Sequence, residues 1–106
     1  IADSTNYDAA MKSPELVGLE TDALCEELMV QDVIAAADLL RPVYDRTKGA
    51  DGYASIEVSP VLAHDERATV AAAERLWKRI ARPNLMVKIP ATPEGIPAIR
   101  ATLEKG

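Results

Sequence analysis

Apolar residues recur along this chain at two spacings, and the switch between them marks out its elements. Val30, Val33, Ile34, Ala37 and Leu40 follow the i, i+3, i+4, i+7 rhythm of an amphipathic helix. Thr21-Asp22 opens a helical pattern that runs to about Met29, and Gln31-Asp32 reads as a second start. Pro42 is expected to kink or end the second segment, because it has no N–H to donate. Upstream, Asp3-Ser4-Thr5-Asn6 offers caps for a short helix around Tyr7 to Met11, which Ser13-Pro14 interrupts. Lys48-Gly49-Ala50-Asp51-Gly52 is a loop.

The spacing then shortens to two. Tyr53-Ala54-Ser55-Ile56-Glu57-Val58 reads as a strand, stopped by Ser59-Pro60. Helical spacing returns from about Asp65 to Ile80, through Val70, Ala73, Leu76 and Trp77, and Arg82-Pro83-Asn84 ends it. Leu85-Met86-Val87-Lys88-Ile89 is a second strand, closed by Pro90. Thr92-Pro93-Glu94 supplies a cap and a proline at a first helical position, and Ile96, Ile99 and Leu103 continue on one face. Gly106 suits the position just after that helix.

The order helix, helix, strand, helix, strand, helix contains a parallel βαβ unit, which is almost always right-handed. Parallel sheets are covered on both faces by helices or closed into barrels. Two strands give neither, and a TIM (β/α)₈ barrel needs ~200 residues or more. The expected fold class is therefore α/β: a partial TIM barrel, about two parallel strands with flanking helices. Residues 1–106 would form a single incomplete domain. The alternative is a small helical domain with a two-stranded patch.

Composition narrows the function classes. The chain has 106 residues, of which 48% are apolar and 27% charged, with a net charge of −5. The acidic balance and the scatter of the Lys and Arg residues argue against nucleic acid as a partner. No apolar run approaches the ~20 residues that span a membrane, and the N-terminus lacks the pattern of a signal peptide. One cysteine, Cys25, and one histidine, His64, exclude an internal disulfide and a Cys-based zinc site. A reducing, cytoplasmic setting is the default expectation. The chain opens on Ile1 and stops at Lys105-Gly106, which suggests a piece of a longer protein.

Two residues stand out chemically. Lys88 lies in a strand that otherwise reads as buried, near the strand's C-terminal end, where barrel enzymes carry their active sites. A desolvated lysine loses its charge more readily and can attack a carbonyl to form a Schiff base. Glu57 has the same standing in the preceding strand, 31 residues earlier, about one βα repeat. On neighbouring strands the two would sit ~4.8 Å apart in the hydrogen-bonding direction, and Glu57 could shuttle protons as a general acid–base. The alternatives are a lysine that snorkels to the rim and a plain Glu57–Lys88 ion pair. His64 reads as a loop or capping residue, Cys25 as a buried or half-buried packing residue, Trp77 as core, and Glu26-Glu27 as a solvated face. The glycines at 49 and 52 lack phosphate-loop spacing and read as a turn feeding the strand.

Three segments carry a family resemblance: Ala36-Ala37-Asp38-Leu39-Leu40-Arg41-Pro42-Val43-Tyr44, Asp51-Gly52-Tyr53 through Ser55-Ile56-Glu57-Val58-Ser59-Pro60, and Asn84-Leu85-Met86-Val87-Lys88-Ile89-Pro90-Ala91-Thr92 with Glu94-Gly95. In these the chain resembles bacterial transaldolase over essentially its whole length. The resemblance implies a (β/α)₈-barrel enzyme of the non-oxidative pentose phosphate pathway. Such an enzyme moves a dihydroxyacetone unit from a ketose phosphate (sedoheptulose 7-phosphate or fructose 6-phosphate) to an aldose phosphate, with no metal or organic cofactor. It implies Lys88 as the Schiff-base lysine and Glu57 as the acid–base carboxylate acting through a water.

Family members are much longer. The strand with their further catalytic Asp, the strand with a donor-contacting Asn, and the Ser and Arg that grip phosphate are expected outside 1–106. Little or no turnover is therefore expected of the isolated chain. A non-catalytic βα module, or self-association through unpaired strand edges, is the competing reading.

Overall fold

The computed structural model describes residues 5–106; Asp3 and Ser4 of the first capping segment lie outside them. A one-turn helix α1 (Asp8–Met11) precedes a long helix α2 (Thr21–Arg46). Strand β1 (Ala54–Glu57), a 3₁₀ turn (Pro60–Leu62), helix α3 (Glu66–Ile80), strand β2 (Leu85–Lys88) and helix α4 (Gly95–Leu103) follow. β1 and β2 pair in parallel, with Ala54 opposite Leu85 and Glu57 opposite Lys88. This is an α/β arrangement of the kind expected of a section of a (β/α)₈ barrel.

Alternation decides what packs. Ala54, Ile56 and Val58 turn to one side of the pair and are buried, whereas Ser55 and Glu57 on the other side are exposed. Ile56, Val58 and Leu85 join Ala72, Ala73, Leu76 and Ile80 of α3 and Val30 of α2 in one apolar core. α3 starts where the sequence predicts: the Asp65 carboxylate accepts from the backbone N–H of Ala68 at 2.9 Å. It ends on Ala81, which takes the left-handed conformation (φ 49°) that a glycine usually supplies.

Several expectations are corrected. α2 is one helix of 26 residues, with no second start at Gln31-Asp32 and no end at Pro42. No Gly or Pro interrupts residues 21–41, and Gln31 and Asp32 are simply its exposed side. Pro42 removes one donor, yet the Asp38 carbonyl it frees belongs to an exposed residue that water can reach. Cys25 is exposed rather than packed. Trp77 is 42% exposed, so it is not core; Leu76 and Ile80 fill that role. Glu26 and Glu27 are not a free solvated face. They turn towards α3, where Arg75 binds Glu26 through both terminal guanidinium nitrogens and Arg79 lies 2.7 Å from Glu27.

The N-terminal ends of the strands are locked to α2. Asn84, fully buried, donates from its side-chain amide to Ala37 O (2.8 Å) and to Gly52 O (2.9 Å). Gly52 has φ +86°, and a Cβ there would lie 2.4 Å from the backbone nitrogen of Tyr44. Only glycine fits that approach. The loop at 48–52 is thus the turn into β1 that its composition indicates.

Candidate active site

The face of the strand pair opposite the core carries Ser55, Glu57, Met86 and Lys88. Strand alternation puts them there, and the register sets Glu57 directly beside Lys88. The Lys88 ammonium nitrogen lies 3.2 Å from Glu57 Oε2, and both side chains are more than half exposed (58% and 53%). The expectation of a lysine in a buried strand is therefore corrected. β2 is buried on one face only: Leu85 is buried and Val87 half-buried, whereas Met86 and Lys88 are exposed.

An open cleft of about 240 Å³ adjoins the pair, lined by Met29, Asp32 and Val33 of α2 and by Ser55, Ile56, Glu57 and Lys88. Asp32 is the residue that sequence reasoning missed. It reaches the cleft only because α2 continues unbroken past position 31. Its carboxylate accepts a hydrogen bond from the Tyr7 hydroxyl at 2.6 Å. That bond and the carboxylate's charge hold the Tyr7 phenol above its ordinary pKa.

Both strands deliver their loops to this end. His64 does not cap α3, which Asp65 does; its Nδ1 lies 3.1 Å from Glu94 Oε2, on the loop after β2. A backbone hydrogen bond at Glu94 and then the imidazole hold the Glu94 carboxyl below the ordinary carboxylate range. The Thr92 hydroxyl donates to Ala63 O and accepts from the Gly95 N–H at 2.9 Å. Thr92 therefore caps α4, as its sequence position suggests, although regular helix begins at Gly95.

The chemistry available is that of an amine beside a carboxylate in an open cleft. A carbonyl compound in the cleft would meet the amine, with the carboxylate placed to take and return protons during its addition. Among the described residues no three His, Cys, Asp or Glu side chains gather into a set that could hold a metal ion, and no helix is long and apolar enough to cross a membrane.

Comparison with known proteins adds a family. The family described as Transaldolase/Fructose-6-phosphate aldolase matches residues 1–106. The chain is 45% identical over all 106 residues to a protein named transaldolase from Thermobifida fusca (strain YX), covering 29% of that protein. It is 42% identical to transaldolase 2 of Nostoc sp. (strain PCC 7120), and 45% identical to a transaldolase of Acidothermus cellulolyticus, covering 28% of each. The chain thus spans less than a third of the length of these relatives.

Proposed function

This chain belongs to the transaldolase/fructose-6-phosphate aldolase family, and from that membership we propose that it supplies the Schiff-base lysine, Lys88, and an acid–base carboxylate, Glu57, to a transaldolase. The reaction is transfer of a dihydroxyacetone unit from a ketose phosphate to an aldose phosphate, in the cytoplasmic pentose phosphate pathway. Residues 1–106 are one section of the barrel domain that carries it out. The observation that supports the reading is the in-register pairing of Glu57 with Lys88, 3.2 Å apart on the open face of two parallel strands.

In this mechanism the Lys88 amine adds to the donor ketone and gives a carbinolamine. Glu57, in its acid form, directly or through a water, protonates the carbinolamine hydroxyl, which leaves as water. An iminium remains. The iminium accepts the electron pair of the carbon–carbon bond that breaks, while a base takes the proton of the adjoining hydroxyl. The aldose leaves and an enamine stays on Lys88. The enamine carbon then attacks the acceptor aldehyde, and water returns to release the product ketose. Glu57 works here because it is adjacent: proton transfer needs a partner within ~2.6–3.2 Å or one bridging water.

Borohydride trapping with fructose 6-phosphate, followed by peptide mapping, tests the assignment. A single adduct on Lys88 is expected, abolished by Lys88→Met and slowed roughly hundredfold by Glu57→Gln. An adduct that survives Lys88→Met would overturn it. The strand edges left unpaired in a two-stranded sheet favour self-association as a second reading. Light scattering during the same trapping reaction separates the two: a monomer that forms the adduct rejects the second reading.

A further inference from the structure

We infer that the loops after β1 and β2 form one clamped rim, in which Thr92, Glu94 and His64 are positioning residues that hold Lys88 over Glu57. The consequence for catalysis rests on the reading of Lys88 given above; the clamp itself does not.

Each loop is first tied to its own helix. On the β1 side, the Thr69 hydroxyl of α3 donates to Leu62 O at 2.8 Å, and the Leu62 N–H bonds back to Ser59 O at 3.1 Å. On the β2 side, Gly95 is buried hard against the backbone two residues beyond Lys88: a Cβ there would lie 1.8 Å from Pro90 O. α4 therefore begins in direct contact with the chain that leaves the lysine. Two contacts then join the loops across 29 and 30 residues of sequence, Thr92 to Ala63 O and His64 to Glu94. Thr92 is the pivot, because its one hydroxyl serves both the bridge and the α4 cap.

The open face explains why a clamp is needed. The Lys88 side chain is more than half exposed, so apart from its ion pair with Glu57 its place is set by the backbone beneath it. The strand ladder fixes that backbone up to the bond from Val58 N–H to Lys88 O at 3.2 Å. Beyond this bond, Ile89 and Leu62 still pack against the core, and the rim contacts are what tie the two loops to each other. A displacement of ~1 Å can cost a reaction about a hundredfold, so a few contacts at the rim carry weight out of proportion to their stability. The His64 side chain is 78% exposed and that of Glu94 41%. Exposed pairs of this kind add little to folding, which makes their removal a clean perturbation.

The test is amide hydrogen exchange by mass spectrometry on the whole chain, its Glu94→Gln, His64→Gln, Thr92→Val and Thr92→Ser variants, together with borohydride trapping rates. Thr92→Val is expected to speed exchange roughly tenfold, and Glu94→Gln and His64→Gln about two- to fivefold, in the opposite loop as well as their own. Changing position 92 or 94 should loosen 61–65, and changing position 64 should loosen 89–95. Thr92→Ser keeps the hydroxyl and should restore the original exchange. The trapping rate at saturating fructose 6-phosphate should fall roughly tenfold in Glu94→Gln, with the half-saturating concentration unchanged. Faster exchange confined to the substituted loop overturns the clamp; an unchanged trapping rate in a variant whose rim has loosened overturns the positioning of Lys88 by it. Should the unaltered chain form no adduct on Lys88, the catalytic reading of this chain fails, and exchange in the opposite loop alone decides the clamp.

Discussion

The two sides of the β1–β2 pair share one backbone and are opposite in what they demand of their side chains. On the packed side, Ile56 is 4% exposed and Leu85 3%, pressed against α3. On the open side, Met86 is 50% exposed, and Glu57 and Lys88 more than half. Apolar burial on one side stabilises the ladder, at ~25 cal/mol per Å² of apolar surface removed from water. That leaves the other side free of packing requirements, and the two charged residues occupy it in register. Truncation should separate the sides cleanly in denaturant unfolding. Ile56→Ala is expected to cost about 2–5 kcal/mol, and Met86→Ala less than about 0.5 kcal/mol. Equal costs would mean that the open side is covered in solution.

The second contrast runs along the strands. At their N-terminal ends a neutral, buried Asn84 ties α2 to the loop before β1; at their C-terminal ends lies the exposed Glu57–Lys88 pair. Asn84→Ala strips buried carbonyls of a donor and should cost about 1–3 kcal/mol in the same unfolding experiment. It should leave the trapping rate at Lys88, per folded molecule, unchanged. A loss of trapping that exceeds the loss of folded protein would show that the two ends of the sheet are coupled.

Legibility in sequence follows the same division between local and distant causes. The strands and α-helices from residue 53 onward are read to within a residue or two, because each boundary has its own punctuation: Pro60 after β1, Asp65 at the start of α3, Pro83 before β2, Pro90 and Thr92 before α4; the 3₁₀ turn at Pro60–Leu62 is not. The pairing of Glu57 with Lys88 is legible too, since both follow the two-residue period and are one βα repeat apart. α2 is read wrongly because Gln31-Asp32 and Pro42 are ambiguous locally. Whether such residues start, stop or merely face solvent depends on what the helix packs against. Trp77 and Cys25 are misplaced for a related reason: apolar type does not by itself give burial, because a helix has room for only one packed stripe. Asp32 in the cleft and Glu94 beside His64 are brought to their places by distances between elements, and no local spacing encodes these.

The smallest expected effect concerns the junction of α2 with α3, the helices that cover the packed side. Glu26 is held below its ordinary value of 4.5, first by the hydrogen bonds from Arg75, with burial opposing. A carboxyl depressed on folding stabilises the native state above its unfolded pKa. That contribution is lost as pH falls through the lower, folded value. Acidification below about pH 4.5 should therefore loosen α2 from α3, with Asp38 and Arg82 acting in the same direction where α2 meets the chain after α3, while Glu74 with Lys105 ties α3 to the chain after α4 with the same dependence on pH. The Arg75 side chain is 55% exposed, so solvent screening keeps the pair's worth to about 1 kcal/mol or less. Arg75→Met should flatten the fall of stability with pH by about that amount in unfolding curves measured from pH 6 down to about pH 3. Lys88→Met, on the open side, should leave stability at neutral pH within about 0.5 kcal/mol of the unaltered chain. A Lys88→Met variant as destabilised as Arg75→Met would mean that the open-side pair is part of the scaffold, and the separation of the two sides would no longer hold.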